Sequence, residues 1–132
     1  MSSAPSQTPG DAVASAASAV PAAAMTRVHK FGGSSVADSA RIRALAPLVD
    51  DGAQVRAVVV SAMAGTTNAL VAMAEQAASG QDWSADWSAL RERHFQTADD
   101  IDPDARHGLR AAIARDFDGL RDDLLALAAA SG

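Results

Sequence analysis

The chain has 132 residues, a net charge of −5 and no cysteine. The acidic balance, with no cluster of Lys and Arg, argues against a nucleic-acid-binding face, and the missing thiols exclude disulfides and thiolate metal sites. His29, His94 and His107 are too scattered for metal-ligand spacing. No run of apolar residues is long enough for a membrane-spanning helix.

Residues 1–24 are dominated by Ala, Ser and Pro. They lack the basic and Leu-rich regions of a signal peptide. They are predicted to be a disordered leader, too poor in large side chains to offset the entropy of ordering. A cytoplasmic protein is the matching expectation. Met25, just before the first strand-like run, is a candidate natural start. Residues 25–132 are read as the folded part, a body of about 105–110 residues that can bury a modest core.

Residues 26–31 read as a short strand, and Gly32-Gly33-Ser34-Ser35 as the turn that ends it. A helix is predicted from Val36 or Asp38 to Val49, with Ile42, Leu45, Ala46 and Val49 on one face. Asp50-Asp51-Gly52 closes it, with Gly just past the helix end. Val55 to Val60 is a β-branched run of the kind found in strands buried on both faces of a parallel sheet. After the turn Ser61–Thr66, a helix is predicted from Thr67 or Asn68 to about Ala78, with Leu70, Val71 and Ala74 inward. Residues 84–97 form another helix, with Trp87, Leu90, His94 and Phe95 on one stripe. Asp102-Pro103-Asp104 resembles a helix cap with Pro in the first turn. Leu109, Ile113, Phe117, Leu120, Leu124 and Leu127 then mark the last amphipathic helix. Gly119 within it is disfavoured by about 1 kcal/mol against Ala and suggests a bend or close packing.

This alternation predicts an α/β fold with a mostly parallel sheet. Two strands alone leave both edges open, so the sheet is expected to be incomplete in this chain.

Two segments can carry chemistry. Lys30-Phe31-Gly32-Gly33-Ser34-Ser35 lies at a strand's carboxyl end, where ligands bind in open α/β sheets. Paired glycines admit a bulky anion close to the backbone, and N–H groups near a helix start cradle it. Lys30 adds a charge suited to phosphoryl oxygens. The G-x-x-x-x-G-K-S/T spacing of the common phosphate loop is absent, and a bare glycine turn is the simpler alternative. Ser61-Ala62-Met63-Ala64-Gly65-Thr66-Thr67-Asn68 also follows a strand and opens a helix. Its hydroxyls suit a carboxylate or phosphate at the helix N-terminus, and plain capping by Thr67 or Asn68 is the alternative. A parallel sheet would set the two segments side by side. Trp83 and Trp87 read as core. Glu92 and Arg93, with Asp116, Asp118, Asp122 and Asp123, read as solvated helix faces, and His94 as packed rather than catalytic.

The run Val28-His29-Lys30-Phe31-Gly32-Gly33-Ser34-Ser35-Val36-Ala37-Asp38 resembles the opening signature of the aspartate kinases. The run Val58 to Leu70, with Ser61, Gly65, Thr67 and Asn68, resembles the second motif of that family. The leader and overall run are similar to the kinase half of bifunctional aspartokinase/homoserine dehydrogenases. The resemblance implies the amino-acid kinase fold, an α/β/α sandwich. It implies transfer of the γ-phosphoryl group of MgATP to the side-chain carboxylate of L-aspartate, giving 4-phospho-L-aspartate for lysine, threonine and methionine biosynthesis. Lys30 would contact the transferring phosphate; Gly32, Gly33 and Ser34 would line the ATP phosphates; Ser61 and Thr67 would hold aspartate. The whole protein is expected to be a homo-oligomer. The family also needs a glutamate, an arginine and a nucleoside pocket farther along, so this chain is expected to be an inactive N-terminal piece of the catalytic domain. A glutamate, carbamate or uridylate kinase, or a non-catalytic module docking through residues 104–130, are the alternatives.

Overall fold

The computed structural model describes residues 27–50 and 55–132. The predicted leader, Thr26 of the first strand and the Asp51-Gly52 helix stop lie outside the described residues. In chain order the elements are β1 (Arg27–Phe31), a 3₁₀ turn (Gly33–Val36), α1 (Ser39–Val49), β2 (Val55–Val60), α2 (Thr66–Ala78), α3 (Ser84–Ile101) and α4 (Leu109–Ser131). The described residues are therefore mostly helical, with one two-stranded parallel sheet.

β1 and β2 pair in parallel, with Lys30 opposite Val59 and Phe31 opposite Val60. The register slips once, between Arg27 and Val28. The Ser61 N–H donates to the Phe31 carbonyl at 3.0 Å and carries the ladder one step past β2. Parallel strands need a crossover, and α1 supplies it. Asp38 caps α1, its carboxylate accepting from the Arg41 N–H at 2.9 Å. Asp50 closes it through an N–H bond to the Ala46 carbonyl.

The core lies among the helices. Met73 and Ala77 of α2, Leu90 of α3, and Phe117 and Leu124 of α4 form one buried cluster, flanked by Trp83, Trp87, Ile113 and Leu120. The Trp87 indole meets Phe117 edge-on and donates to the Phe117 carbonyl at 3.1 Å. The His94 ring packs on the same Phe117, with Nδ1 2.8 Å from the Leu90 carbonyl. His94 is thus a packing residue. The apolar stripe of α4 packs inside the chain through Phe117, Leu124, Ile113 and Leu120, while Leu127 near its end is exposed.

Several sequence expectations need correction. The β2 valines are not buried on both faces: Val58, Val59 and Val60 are 43, 50 and 60% exposed. The strands pair with each other while the helices pack mainly among themselves, so among the described residues the sheet is not closely covered on both faces as such runs normally are. The inward face of α2 is carried by Met73 and Ala77, while Leu70 and Val71 are exposed. The α2–α4 contact selects Met73 with Ala77, one helical turn apart, and Val71 points away from that row. Asp102 is no helix start. It ends α3, and its buried carboxylate accepts from the His107 N–H at 3.0 Å. α4 instead begins after Gly108, in the left-handed region at φ 64°. Gly119 packs closely against nothing.

Two outcomes follow from this packing. Phe117→Ala should lower unfolding free energy by about 3–5 kcal/mol, read from denaturant unfolding. Asp82 accepts hydrogen bonds from the Ser84 side chain and its N–H at the head of α3, and these hold its carboxyl below the ordinary value. A depressed folded-state pKa gives stability above the unfolded pKa and loses it as pH falls through the folded one. The thermal midpoint of Asp82→Ala should therefore lie below that of the native chain at neutral pH, with the gap narrowing in acid.

Candidate functional site

Both glycine-bearing segments leave the carboxyl end of the sheet, because the strands that feed them are parallel and in register. Lys30 is the penultimate residue of β1, exposed, with no ion pair among the described residues. Gly32 has extended backbone (φ −77°, ψ 174°) and leads into the 3₁₀ turn, which the Ser35 N–H closes on the Gly32 carbonyl at 3.0 Å. Ser34 is exposed on that turn. The N–H groups of Gly33 and Ser34 make no backbone bond among the described residues, which leaves them able to donate to a ligand.

The second segment turns over Ser61 and Ala62 into α2. The Thr66 N–H donates to the Met63 carbonyl at 3.0 Å, and Gly65 stands in the left-handed region at φ 82°. A side chain there would cost roughly 1–2 kcal/mol. No side chain caps α2, so Thr67 and Asn68 are not caps. They lie in the first turn, where their N–H groups make no backbone bond among the described residues. Ser61 and Thr67 are exposed, whereas Thr66 is buried.

The segments touch at Gly33. A Cβ on Gly33 would stand 3.2 Å from the Ala62 carbonyl oxygen and 3.6 Å from the Ala64 Cα, while one on Gly32 would meet nothing. The second glycine of the pair is thus the one that close approach requires. The structure brings Lys30, Gly32, Gly33, Ser34 and Ser61 to neighbouring strand ends and sets Thr67 in the first turn of the adjoining helix. Free N–H donors, a helix N-terminus and one exposed ammonium at a common edge suit an anionic ligand.

One residue read as solvated belongs to this region. Arg93 of α3 is half-buried, and its guanidinium donates to the Ala64 carbonyl at 2.6 Å and the Ala37 carbonyl at 2.9 Å. Ala64 belongs to the second segment, and Ala37 caps the 3₁₀ turn that the first segment enters. The available signal was its spacing of three from buried Leu90, which places it on the edge of the inward stripe of α3. Glu92 and the α4 aspartates are exposed as expected. No group of three or more His, Asp or Glu among the described residues could hold a metal ion, and no described helix is long and apolar enough to cross a membrane.

Comparison with known proteins gives a consistent answer. The chain is 38% identical over 84 residues to the chloroplastic bifunctional aspartokinase/homoserine dehydrogenase of Daucus carota, covering 62% of this chain and 9% of that protein. It is 33% identical over 111 residues to the chloroplastic bifunctional aspartokinase/homoserine dehydrogenase 2 of Arabidopsis thaliana, covering 82% and 12%. It is 56% identical over 48 residues to the lysine-sensitive aspartokinase 3 of Escherichia coli, covering 36% and 11%. This chain is homologous, over part of its length, to the aspartokinases. It spans about a tenth of the length of each of these relatives. No family model matches the chain, and no solved structure does.

The contact at Gly33 is directly testable. Gly33→Ala should shift the amide resonances of residues 62–65 in a nitrogen-resolved NMR spectrum, whereas Gly32→Ala should leave them in place.

Proposed function

We propose that this chain carries the ATP-phosphate loop and the aspartate loop of an aspartokinase, within a larger sandwich of the amino-acid kinase fold. The observation that carries the reading is the contact between the two loops at Gly33, on the carboxyl edge of a parallel strand pair. The homology with aspartokinases supports it.

On this reading the free N–H groups of Gly33 and Ser34 receive the phosphates of ATP, with Gly32 leaving the approach open. Lys30 draws charge from the γ-phosphoryl oxygens. Ser61 and Thr67 hold L-aspartate at the N-terminus of α2, whose dipole favours a carboxylate. The side-chain carboxylate is already a nucleophile at neutral pH. Its oxygen bonds to the γ-phosphorus as the bond to the ADP oxygen breaks, and no proton need be removed. Catalysis is then positioning together with charge neutralisation on the phosphoryl oxygens. The divalent ion that accompanies ATP would arrive with it or be held by residues beyond those described. A segment equal to about a tenth of its relatives supplies only part of such a site, so the chain alone is expected to turn over poorly.

The test is a chimera. This chain replaces the matching segment of the Escherichia coli lysine-sensitive aspartokinase 3, and 4-phospho-L-aspartate formation is followed in a coupled assay. The chimera should be active, and Lys30→Ala within it should lose about 100- to 1,000-fold in kcat, the range for removing one donor to developing charge. A chimera that folds yet makes no product, or one indifferent to Lys30→Ala, would overturn the reading.

A further inference from the structure

The guanidinium of Arg93 forms no ion pair among the described residues. The arginines that do form ion pairs, such as Arg41, Arg106 and Arg121, are about half or more exposed. Arg93 instead turns inward and donates to two backbone carbonyls. Ala37 ends the 3₁₀ turn of the first loop, directly before the Asp38 cap of α1. Ala64 directly precedes Gly65, the left-handed residue that starts α2. A planar fork with fixed spacing between its nitrogens dictates where both carbonyls stand relative to each other.

The base of this fork is rigid. Leu90, Phe95 and Ala98 of α3 are buried on either side of it. The Thr97 hydroxyl donates to the Arg93 carbonyl at 3.0 Å, and His94 is locked between the Leu90 carbonyl and Phe117. The Arg93 side chain therefore transmits the position of the helical core to both loops at once.

We propose that Arg93 is a positioning residue that sets the spacing between the two loops and couples ligand occupancy of one to the other. The coupling part rests on the functional reading above; the clamp itself does not. Binding at the first loop moves the Ala37 carbonyl, the fork carries that shift to Ala64, and the N-terminus of α2 responds. A single ammonium in place of the fork can hold either carbonyl but cannot fix the pair.

The test uses the whole 132-residue chain with Arg93→Gln and Arg93→Lys. Amide hydrogen exchange should accelerate about tenfold at both Ser35 and Thr66, whose N–H bonds close the two loops, as expected for loss of charge-assisted hydrogen bonds. Exchange at Met73 and Phe117 in the core should be unchanged. Acceleration in one loop only, or full restoration by lysine, would overturn the clamp. A second arm measures L-aspartate affinity with and without MgATP by calorimetry in the aspartokinase chimera described above, where the rest of the site is present. In the unsubstituted chimera each ligand should tighten the other, and in both variants that reinforcement should vanish. Reinforcement surviving in Arg93→Gln overturns the coupling. Absence of any binding to the unsubstituted, folded chimera counts against the functional reading and against coupling, while the exchange arm still decides the clamp.

Discussion

The parallel pairing of β1 with β2 is the constraint on which the site depends. Two antiparallel strands would send their following turns to opposite ends. Parallel strands in register send both to the same end, and the bond from Ser61 N–H to the Phe31 carbonyl continues that alignment past the last strand residue. The contact of Gly33 with Ala62 and Ala64 is then a consequence of topology rather than of any strong local attraction.

Stability and site geometry have different sources in this molecule. The buried cluster of Met73, Ala77, Leu90, Phe117 and Leu124 belongs entirely to α2, α3 and α4. The sheet contributes little burial among the described side chains: Val28, Val58, Val59 and Val60 stand open, and α1 faces Val58 and Val60 across an apolar cleft of about 550 Å³. Arg93 joins the two parts, anchored in the helical core and bonded to both loops. Surface stacking adds to the helical part, with the guanidiniums of Arg91 and Arg110 at 4.2 and 4.1 Å from the Phe95 ring centre. Such contacts are worth about 0.5–1 kcal/mol each where exposed.

Elements with strong periodic or β-branched patterns were readable from residues alone. β2 matches the run Val55–Val60, and the stripe of α4 meets the core through Ile113, Phe117, Leu120 and Leu124, though not through Leu127, which is exposed. Glycine marked both turns, as the Gly32-Gly33 pair in the first and Gly65 in the second, because a close approach at Gly33 and a positive φ at Gly65 leave few residue choices. What was not legible depended on tertiary partners. Nothing local shows that Met73 rather than Leu70 faces α4, since both sit at helical spacing. Asp102 looked like a cap because its side chain is a good acceptor, and it does accept an N–H, but from the loop after α3. Arg93 has the composition of a solvated face, and only the arrival of two carbonyls from distant segments gives it another role. The coverage expected of the β2 valines was inferred from how such runs usually sit; among the described residues α1 faces Val58 and Val60 across a cleft, and Val58, Val59 and Val60 stay largely exposed.

Both tryptophans, Trp83 and Trp87, sit at the head of α3 against the helical core, and the chain contains no tyrosine. Its intrinsic ultraviolet fluorescence is therefore an optical window onto α3–α4 docking, with the Trp87 indole reporting directly on its bond to Phe117. The same light is nearly blind to the glycine loops. An emission trace can record a fully assembled helical body while the strand ends are rearranged, and the two halves of the molecule need separate reporters.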